Sequence, residues 1–464
     1  METGKFKNTD GETVLSALIP EYGNLKIWEA YSKELDTEYR QCLEEGKDIS
    51  EYADLFRVVS DLPAGAVKEK LSDIIFDIVL NARQLPGYKY NEPSDLEGIR
   101  ARRSGRTETV KAAQASAFET KLAGAWYGRI AGCYLGKPVE GMKTDELHPL
   151  LKETGNFPMH RYIRASEITD EVCSRYKFGL KGRCFAGSTE YMPADDDTNY
   201  TVLACLLLEA HGRDFTPQDV ALDWLRYQSV NAYCTAERVA YKNFVDGYRP
   251  PYSAYYKNPF REWIGAQIRG DFFGYINPGD PEAAAEMAWR DASISHVKNG
   301  IYGEMLFAAM LARAAVSGDI MDIIQAGLAQ IPASSRLHEA AKALISGYES
   351  GVDKDTCFDD IHRSYDEHNP HDWCHTIPNA LICIASLLYG GGDFGKSICM
   401  AVETGFDTDC NGATVGSVLG MAGGIDTIPR EWYDCFNDTL ETTIFGVGKV
   451  SITDMVRRTM KFIR

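Results

Sequence analysis

The chain has 464 residues, of which 44% are hydrophobic, and it carries a formal net charge of −18. That length and apolar content support a large buried core. So acidic a chain does not bind nucleic acid or an anionic membrane surface through its overall field, whereas a metal ion or cationic partner is well received.

The first residues, METGKFKNTDGETV, lack the apolar core of a signal peptide. No apolar run reaches the roughly eighteen residues of a membrane span. The 12 cysteines include no Cys-x-x-Cys pair, and Cys205, Cys383 and Cys399 sit inside apolar runs. They read as small buried hydrophobes in a reducing compartment. The expectation is a soluble cytoplasmic protein.

Along the chain, EYADLFRVVSDLPAG and VKEKLSDIIFDIVLNARQL place apolar residues at helical spacing. GYKYNEPSDLEGIRARRSGR, rich in Pro, Gly and charge, reads as a connector. Residues 1–110 are thus expected to form a helical extension and connector, and 111–464 the main domain. In AFETKLAGAWYGRIAGCYLGKPVEG, Gly124, Gly128, Gly132 and Gly136 recur every four residues, one smooth stripe on a helix. Glycine lowers helix propensity, so the stripe predicts a second backbone packed very close. Pro138 stops that helix near Glu140.

Residues 142–193 have weak periodicity and read as a short helix and long loops. Helices are expected again from Thr198 to Ala210, Pro217 to Tyr227, Pro281 to Arg290, Gly303 to Ala315 and Ile320 to Gln330. They continue from Arg336 to Tyr348, Thr356 to Ser364, Ile377 to Leu388, Asp393 to Thr404 and Gly412 to Gly423. Convincing alternating strands are few. The fold class is all-α, a large helical bundle-like domain with an N-terminal helical extension.

Two acidic clusters stand before apolar helices. ADDDTNYT carries Asp195, Asp196 and Asp197, and GFDTDCNGATVGS carries Asp407 and Asp409. The plainest role of either cluster is helix capping. Capping needs one such residue, however, and crowded carboxylates repel or require a cation. Oxygen-only clusters suit Mg²⁺, with Mn²⁺ or Ca²⁺ as alternatives, rather than zinc. Two acidic helix ends facing each other would hold two such ions, able to orient substrate oxygens and acidify a bound water.

Four stretches, in order, resemble the ADP-ribosylglycohydrolase family, which includes the glycohydrolase that reactivates dinitrogenase reductase. GAWYGRIAGCYLGKPVEG resembles its glycine-rich helix ending in Glu, and ADDDTNYT its Thr-Asp-Asp-Thr motif. DASISHVKNGIYGEM resembles its His-containing helix start, and GFDTDCNGATVGS its Asp-x-Asp-Thr motif. The match runs from about Phe118 to Gly424. The resemblance implies an all-helical fold with a dinuclear Mg²⁺ centre that binds the ribose hydroxyls of an ADP-ribosyl group. It places metal ligands on Asp195, Asp196, Asp197, Asp407 and Asp409. It places Glu140 on a loop near the metals. Two positions depart from the pattern: Asp195 stands for a Thr, and Cys410 for a Thr. A thiol is a poor Mg²⁺ ligand, so Cys410 is expected outside the metal shell, with Asp195 or Asn411 supplying the oxygen.

On the substrate side, WIGAQIRGDFFGYI resembles the family's Asn-Gly-Ala-Ala-Met-Arg loop, with Ile264 in place of Asn. The amides of Gly265 and Ala266 would reach a phosphate, although a tight turn is as good a reading. A lone histidine is usually structural, and the resemblance is what places His296, with Asn299, Tyr302 and Gly303, in the ribose pocket. HNPHDWCHTIPNAL reads as a pocket-lining loop rather than a zinc site, with Trp373 as a base-stacking face.

The function expected from the resemblance is metal-dependent hydrolysis of a ribosyl C1″ bond, the substrate being a small molecule or an ADP-ribosylated protein. Glu140, Asp196 and Asp409 are the expected catalytic residues. Two alternatives stay open: a glycosidase of a small nucleoside or furanoside on the same scaffold, and a non-catalytic relative.

Overall fold

The computed structural model describes residues 21–105, 108–110 and 115–463. The stretch METGKFKNTDGETV and the expected domain start at residue 111 lie outside the described residues. Two compact units are present. One holds the described residues up to Tyr88 together with Lys257–Pro259, and the other holds the remaining described residues from Lys89 onward.

In the smaller unit, helices α1 (Leu35–Glu44), α2 (Ala53–Ser60) and α3 (Ala66–Asn81) follow the apolar spacing of their sequences. They bury Leu35, Cys42, Phe56, Val59, Ile75 and Phe76 in a common core. Tyr31 meets Phe76 edge-on, with ring centroids 5.5 Å apart.

The larger unit is all-α. Its only strands among the described residues are Thr439–Glu441 and Lys449–Ser451, an antiparallel pair with Leu440 opposite Val450. The segment read as connector contains a short helix, α4 (Leu96–Ala101), whose cap Asp95 accepts the Gly98 N–H at 2.6 Å. Six residues are too few to display a helical period. Next come α5 (Ala115–Gly136), α6 (Thr144–Glu153), α7 (Asp196–His211) and α8 (Thr235–Val245). The interior helices α9 (Lys298–Ala314), α10 (Thr376–Gly390) and α11 (Thr408–Gly423) are buried on nearly every side. Such helices read as apolar all round rather than amphipathic.

Helix α9 starts five residues before the expected Gly303, because Asn299 and Gly300 are each used within its first turn. The Asn299 side chain bonds Glu262 and Glu92, and Gly300 lets the Arg261 carbonyl approach. Helix α11 likewise starts a turn before the expected Gly412. Its first turn holds Asp409, which the positive end of the helix favours. No helix among the described residues is long and apolar enough to cross a membrane.

The glycine stripe meets its match on α11. A Cβ at Gly124 would overlap the Gly420 carbonyl, one at Gly128 the Gly416 carbonyl, and one at Gly132 the Gly412 carbonyl. The reverse holds for Gly412, Gly416 and Gly420 against the first helix. Two antiparallel backbones therefore touch along four turns. The last rung sets Gly136 against Thr408, whose hydroxyl donates to the Gly136 carbonyl at 3.0 Å. This contact brings the C-terminal end of α5 beside the N-terminal end of α11.

Because the obstructing atoms are backbone, Gly132→Val should lower unfolding free energy by about 3 kcal/mol or more through overpacking. Gly318→Ala, at a position with open space around it, should change it by less than about 0.5 kcal/mol. Urea denaturation of the two variants checks the contrast, and equal midpoints would contradict the close backbone contact.

Candidate active site at two acidic helix starts

The acidic motifs begin α7 and α11. Only one of their carboxylates caps a helix: Asp195 Oδ1 accepts the Asp197 N–H at 2.9 Å, whereas Asp407, at the corresponding position before α11, makes no side-chain cap. The residue before Asp407, Phe406, has φ of 55°, an unusual conformation for a bulky side chain. The turn is held from outside. Asn379 Oδ1 on α10 accepts from the Asp407 N–H at 3.2 Å and from Asn411 Nδ2 at 2.8 Å, while its Nδ2 donates to the Trp373 and His375 carbonyls.

The two motifs, some two hundred residues apart in sequence, meet. Oxygens of Asp195, Asp197 and Asp409 lie within 4.8 Å of one another together with the Cys133 sulfur. Oxygens of Asp407 and Asp409 form a second such group with the Cys410 sulfur. Asp409 belongs to both. Asp196 is half-buried beside them, and Glu140 keeps solvent contact at the edge.

Crowding and burial shape the protonation of the cluster. Burial first, then the charges of Asp195 and Asp409, push the Asp196 carboxyl well above its usual range. Burial raises Asp197 and Asp407 in the same way, each with help from Asp409. Asp409 is pushed up to about 6, by burial first and then by Asp195. For Glu140 the Asp409 charge leads and loss of water follows, and its carboxyl also stands well above the usual value. Asp195 goes the other way. Burial would raise it, but Lys137, which forms an ion pair with its Oδ2, outweighs that and holds it low.

Two cations thus serve the cluster, Arg129 buried and Lys137 partly exposed, and the sequence reading missed both. Arg129 pairs with Asp197 at 2.8 Å and with Asp271 at 2.9 Å, and it also donates to the Ile268 carbonyl. Lys137 pairs with Asp195. The signal was present. Arg129, Cys133 and Lys137 recur every four residues, one position after each glycine, and a cation inside an apolar helix requires buried partners.

The remaining expected site residues lie outside the two carboxylate groups. Gly265 and Ala266 lie on a 3₁₀ turn, Ile264–Arg269, and the Glu237 carboxylate rather than an open anion cradle lies against Gly265. Arg269 pairs with Glu237 at 2.9 Å and Asp291 at 2.6 Å, a buried structural hub. His296 is 1% exposed, contacts the Ser295 hydroxyl at 2.8 Å, and is kept neutral by burial and the charge of Arg269. Asn299 holds Glu92, Glu262 and the Leu337 N–H, and the Tyr302 hydroxyl donates to the Pro93 carbonyl. Gly303 packs against Thr376 and Gln267.

Trp373 does stand beside the acidic cluster. Its indole N–H donates to the Phe406 carbonyl at 2.6 Å, and Lys143 covers its ring at 4.5 Å. The segment around it is helical rather than the loop expected, with Pro370–Cys374 leading into α10. His371 and His375, four residues apart, serve the scaffold. His371 Nδ1 accepts from Trp263, and His375 caps α10. Asn411 is likewise engaged, with its Oδ1 facing the Cys383 thiol.

The cluster fits an oxygen-ligated divalent cation on two grounds. Asp197 Oδ2 and Asp409 Oδ1 are buried without a hydrogen-bond partner, and carboxylates this crowded favour a cation over mutual ionisation. Burial pushes the Cys133 and Cys410 thiols up, so they stay protonated and compete poorly as ligands.

The family model described as ADP-ribosylglycohydrolase matches residues 114–458. The chain belongs to the ADP-ribosylglycohydrolase family, and this membership supports glycohydrolase activity in general. No curated protein matches it. Among solved structures, one titled "ADP-ribosylglycohydrolase-related protein complex" aligns over 75% of this chain and 98% of that one, at 17% identity and a TM-score of 0.46.

A carboxyl raised on folding stabilises the fold only while protonated. That stability is full below the ordinary aspartate value of 3.8 and is lost as pH rises through the folded value, about 6 for Asp409. In chelator, the protein should therefore melt higher at about pH 5.5 than at about pH 7.5, and saturating divalent cation should shrink the difference. Calorimetric melts check this, and a metal-free melting temperature that rises with pH would contradict it.

Proposed function

We propose that this chain is a metal-dependent hydrolase that cleaves the ribosyl C1″ glycosidic bond of an ADP-ribosyl group carried by a small molecule or a protein. The observation that carries the reading is the convergence of the carboxylates of α7 and α11 on shared Asp409, with oxygens left unpaired in a buried setting. Helix capping accounts for Asp195 alone. Family membership supports the glycohydrolase class, and the acidic cluster supports the dependence on metal.

In this reading Asp196, Asp197, Asp407 and Asp409, with Asp195 beside them, would hold Mg²⁺, or alternatively Mn²⁺ or Ca²⁺. When bound, the ion supplies positive charge that orients a ribose diol and acidifies water. Glu140, at the solvent edge, accepts a proton from the attacking water as that oxygen bonds to C1″ and the bond to the leaving group breaks. The Asp409 charge and loss of water raise its pKa above the usual carboxylate range, which favours uptake of that proton. Asp196 and Asp409, ionised once a cation is held, would offset the positive charge that develops on the ribose ring. Trp373 lies next to Asp407 through the Phe406 carbonyl, so an adenine or nicotinamide-sized ring bound there would meet an aromatic edge. A cytoplasmic setting agrees with the 12 free cysteines.

Titration with ADP-ribose in Mg²⁺, followed by release assays on ADP-ribosylated peptides, tests the proposal. Binding without turnover would favour a non-catalytic relative. Turnover of nucleosides with no ADP-ribose binding would favour the other glycosidase. Glu140→Gln should lower kcat by about 10²–10⁴-fold with KM within a few-fold. Asp196→Asn and Asp409→Asn should abolish turnover yet melt no lower than wild type in chelator, since each removes charge from a crowded cluster. A fall of several degrees in both would assign these acids to the scaffold.

A further inference from the structure

The acidic cluster has two poles that share Asp409, and they differ in one respect. The pole of Asp195, Asp197 and Asp409 already contains a cation: Lys137, whose side chain is 21% exposed, reaches Asp195 Oδ2. The other Asp195 oxygen accepts the Asp197 N–H, so both oxygens of Asp195 are engaged. Asp197 Oδ1 is engaged as well, by Arg129. What remains open at this pole is Asp197 Oδ2, next to a protonated thiol, Cys133. The pole of Asp407 and Asp409 has no Lys or Arg ion pair among the described residues, and Asp409, which both poles share, keeps its Oδ1 buried without a hydrogen-bond partner.

We propose that the Lys137 ammonium stands permanently where a second divalent cation would otherwise sit, so that each chain loads one ion, at the Asp407–Asp409 pole. This rests on the metal-dependent reading above. The lysine is delivered by the fold. It follows Gly136, the last glycine to touch α11, so its backbone is fixed beside Thr408, and its ammonium pairs with Asp195 at the start of α7. An ammonium offers one fixed charge and three N–H donors. It can hold Asp195 and donate to a substrate hydroxyl, but it cannot exchange ligands or acidify a water as a divalent ion does. The proton-transfer task then falls on Glu140 and the single ion. Asp195 is consequently a partner of Lys137 and not a metal ligand.

The test is the metal count of the full chain. Equilibrium dialysis against Mn²⁺ with elemental analysis should give one ion per wild-type chain, and the bound Mn²⁺ should show the electron paramagnetic resonance of an isolated ion. Lys137→Met, which frees Asp195, should take up a second Mn²⁺ and display the spin coupling of a close pair. Two ions per wild-type chain would overturn the inference and leave the glycohydrolase reading standing. No ion at all would overturn both. A Lys137→Met protein that still binds one ion would also overturn the inference. Since that variant leaves Asp195 buried without its cation, the wild-type count is the deciding measurement, and Lys137→Arg, which keeps the charge, should retain a count of one.

Discussion

Two backbones in direct contact set the geometry on which the rest of this molecule depends. Where Gly124, Gly128 and Gly132 face Gly420, Gly416 and Gly412, no side chain separates α5 from α11. Ordinary helices stand 8–10 Å apart because side chains interpose. Removing them from both surfaces lets peptide groups pack on peptide groups. The gain is dispersion over a long contact, and the cost is the weak helix propensity of six glycines. The result is a fixed distance between the two chain segments that carry Lys137 and Glu140 on one side and Asp407 and Asp409 on the other.

Electrostatics within the cluster run against stability. Five carboxylates from two motifs lie in or near a buried space, and only Asp195 is held below its usual pKa. The others are raised by loss of water and by one another. Arg129 limits this cost, as it satisfies Asp197 and Asp271 at once and is itself tied to two carbonyls. Such a buried triad adds little net stability, yet removing one member strands the others without a partner. On the proposed metal-dependent reading, a bound cation would restore the stability that this crowding takes from the metal-free fold.

Much of the fold was legible from periodicity. Pro217–Tyr227 and Arg336–Glu349 begin at the residues expected, because Thr216 and Ser335 are ordinary caps before amphipathic runs. The starts of α9 and α11 were misplaced because Asn, Gly and Asp are locally ambiguous. Their roles depend on Glu262, Glu92 and Gly136, which are remote in sequence. Helix α8 went unread, since TAERVAYKNFV buries Glu237 and Arg238, residues that mimic a solvent face. At the site, the acidic motifs were visible as a surplus over capping need. Arg129 and Lys137 were missed despite their four-residue recurrence beside the glycines, because a basic residue on a helix is by default a surface residue until its partners are known. Asn299 and Tyr302 show the converse. Their motif is recognisable, but their hydrogen bonds run to Glu92 and Pro93, far from it in sequence.

The glycine contact also has a property that its regularity conceals. Rungs recur every four residues, so sliding one helix along the other by about 6 Å would again set glycine against glycine. As a packing surface the ladder behaves like a ruler with evenly spaced marks and no numerals. The numerals are polar. Thr408 holds the Gly136 carbonyl, while Arg129 on α5 and Lys137 just after its end reach acids anchored at the start of α7 and at Asp271. The apolar contact thus determines how close the helices come, and the charged residues determine which of several equivalent alignments is the native one. In this protein the groups that read the alignment are the same groups that build the cluster, so a chain folded in the wrong register would be one without a site.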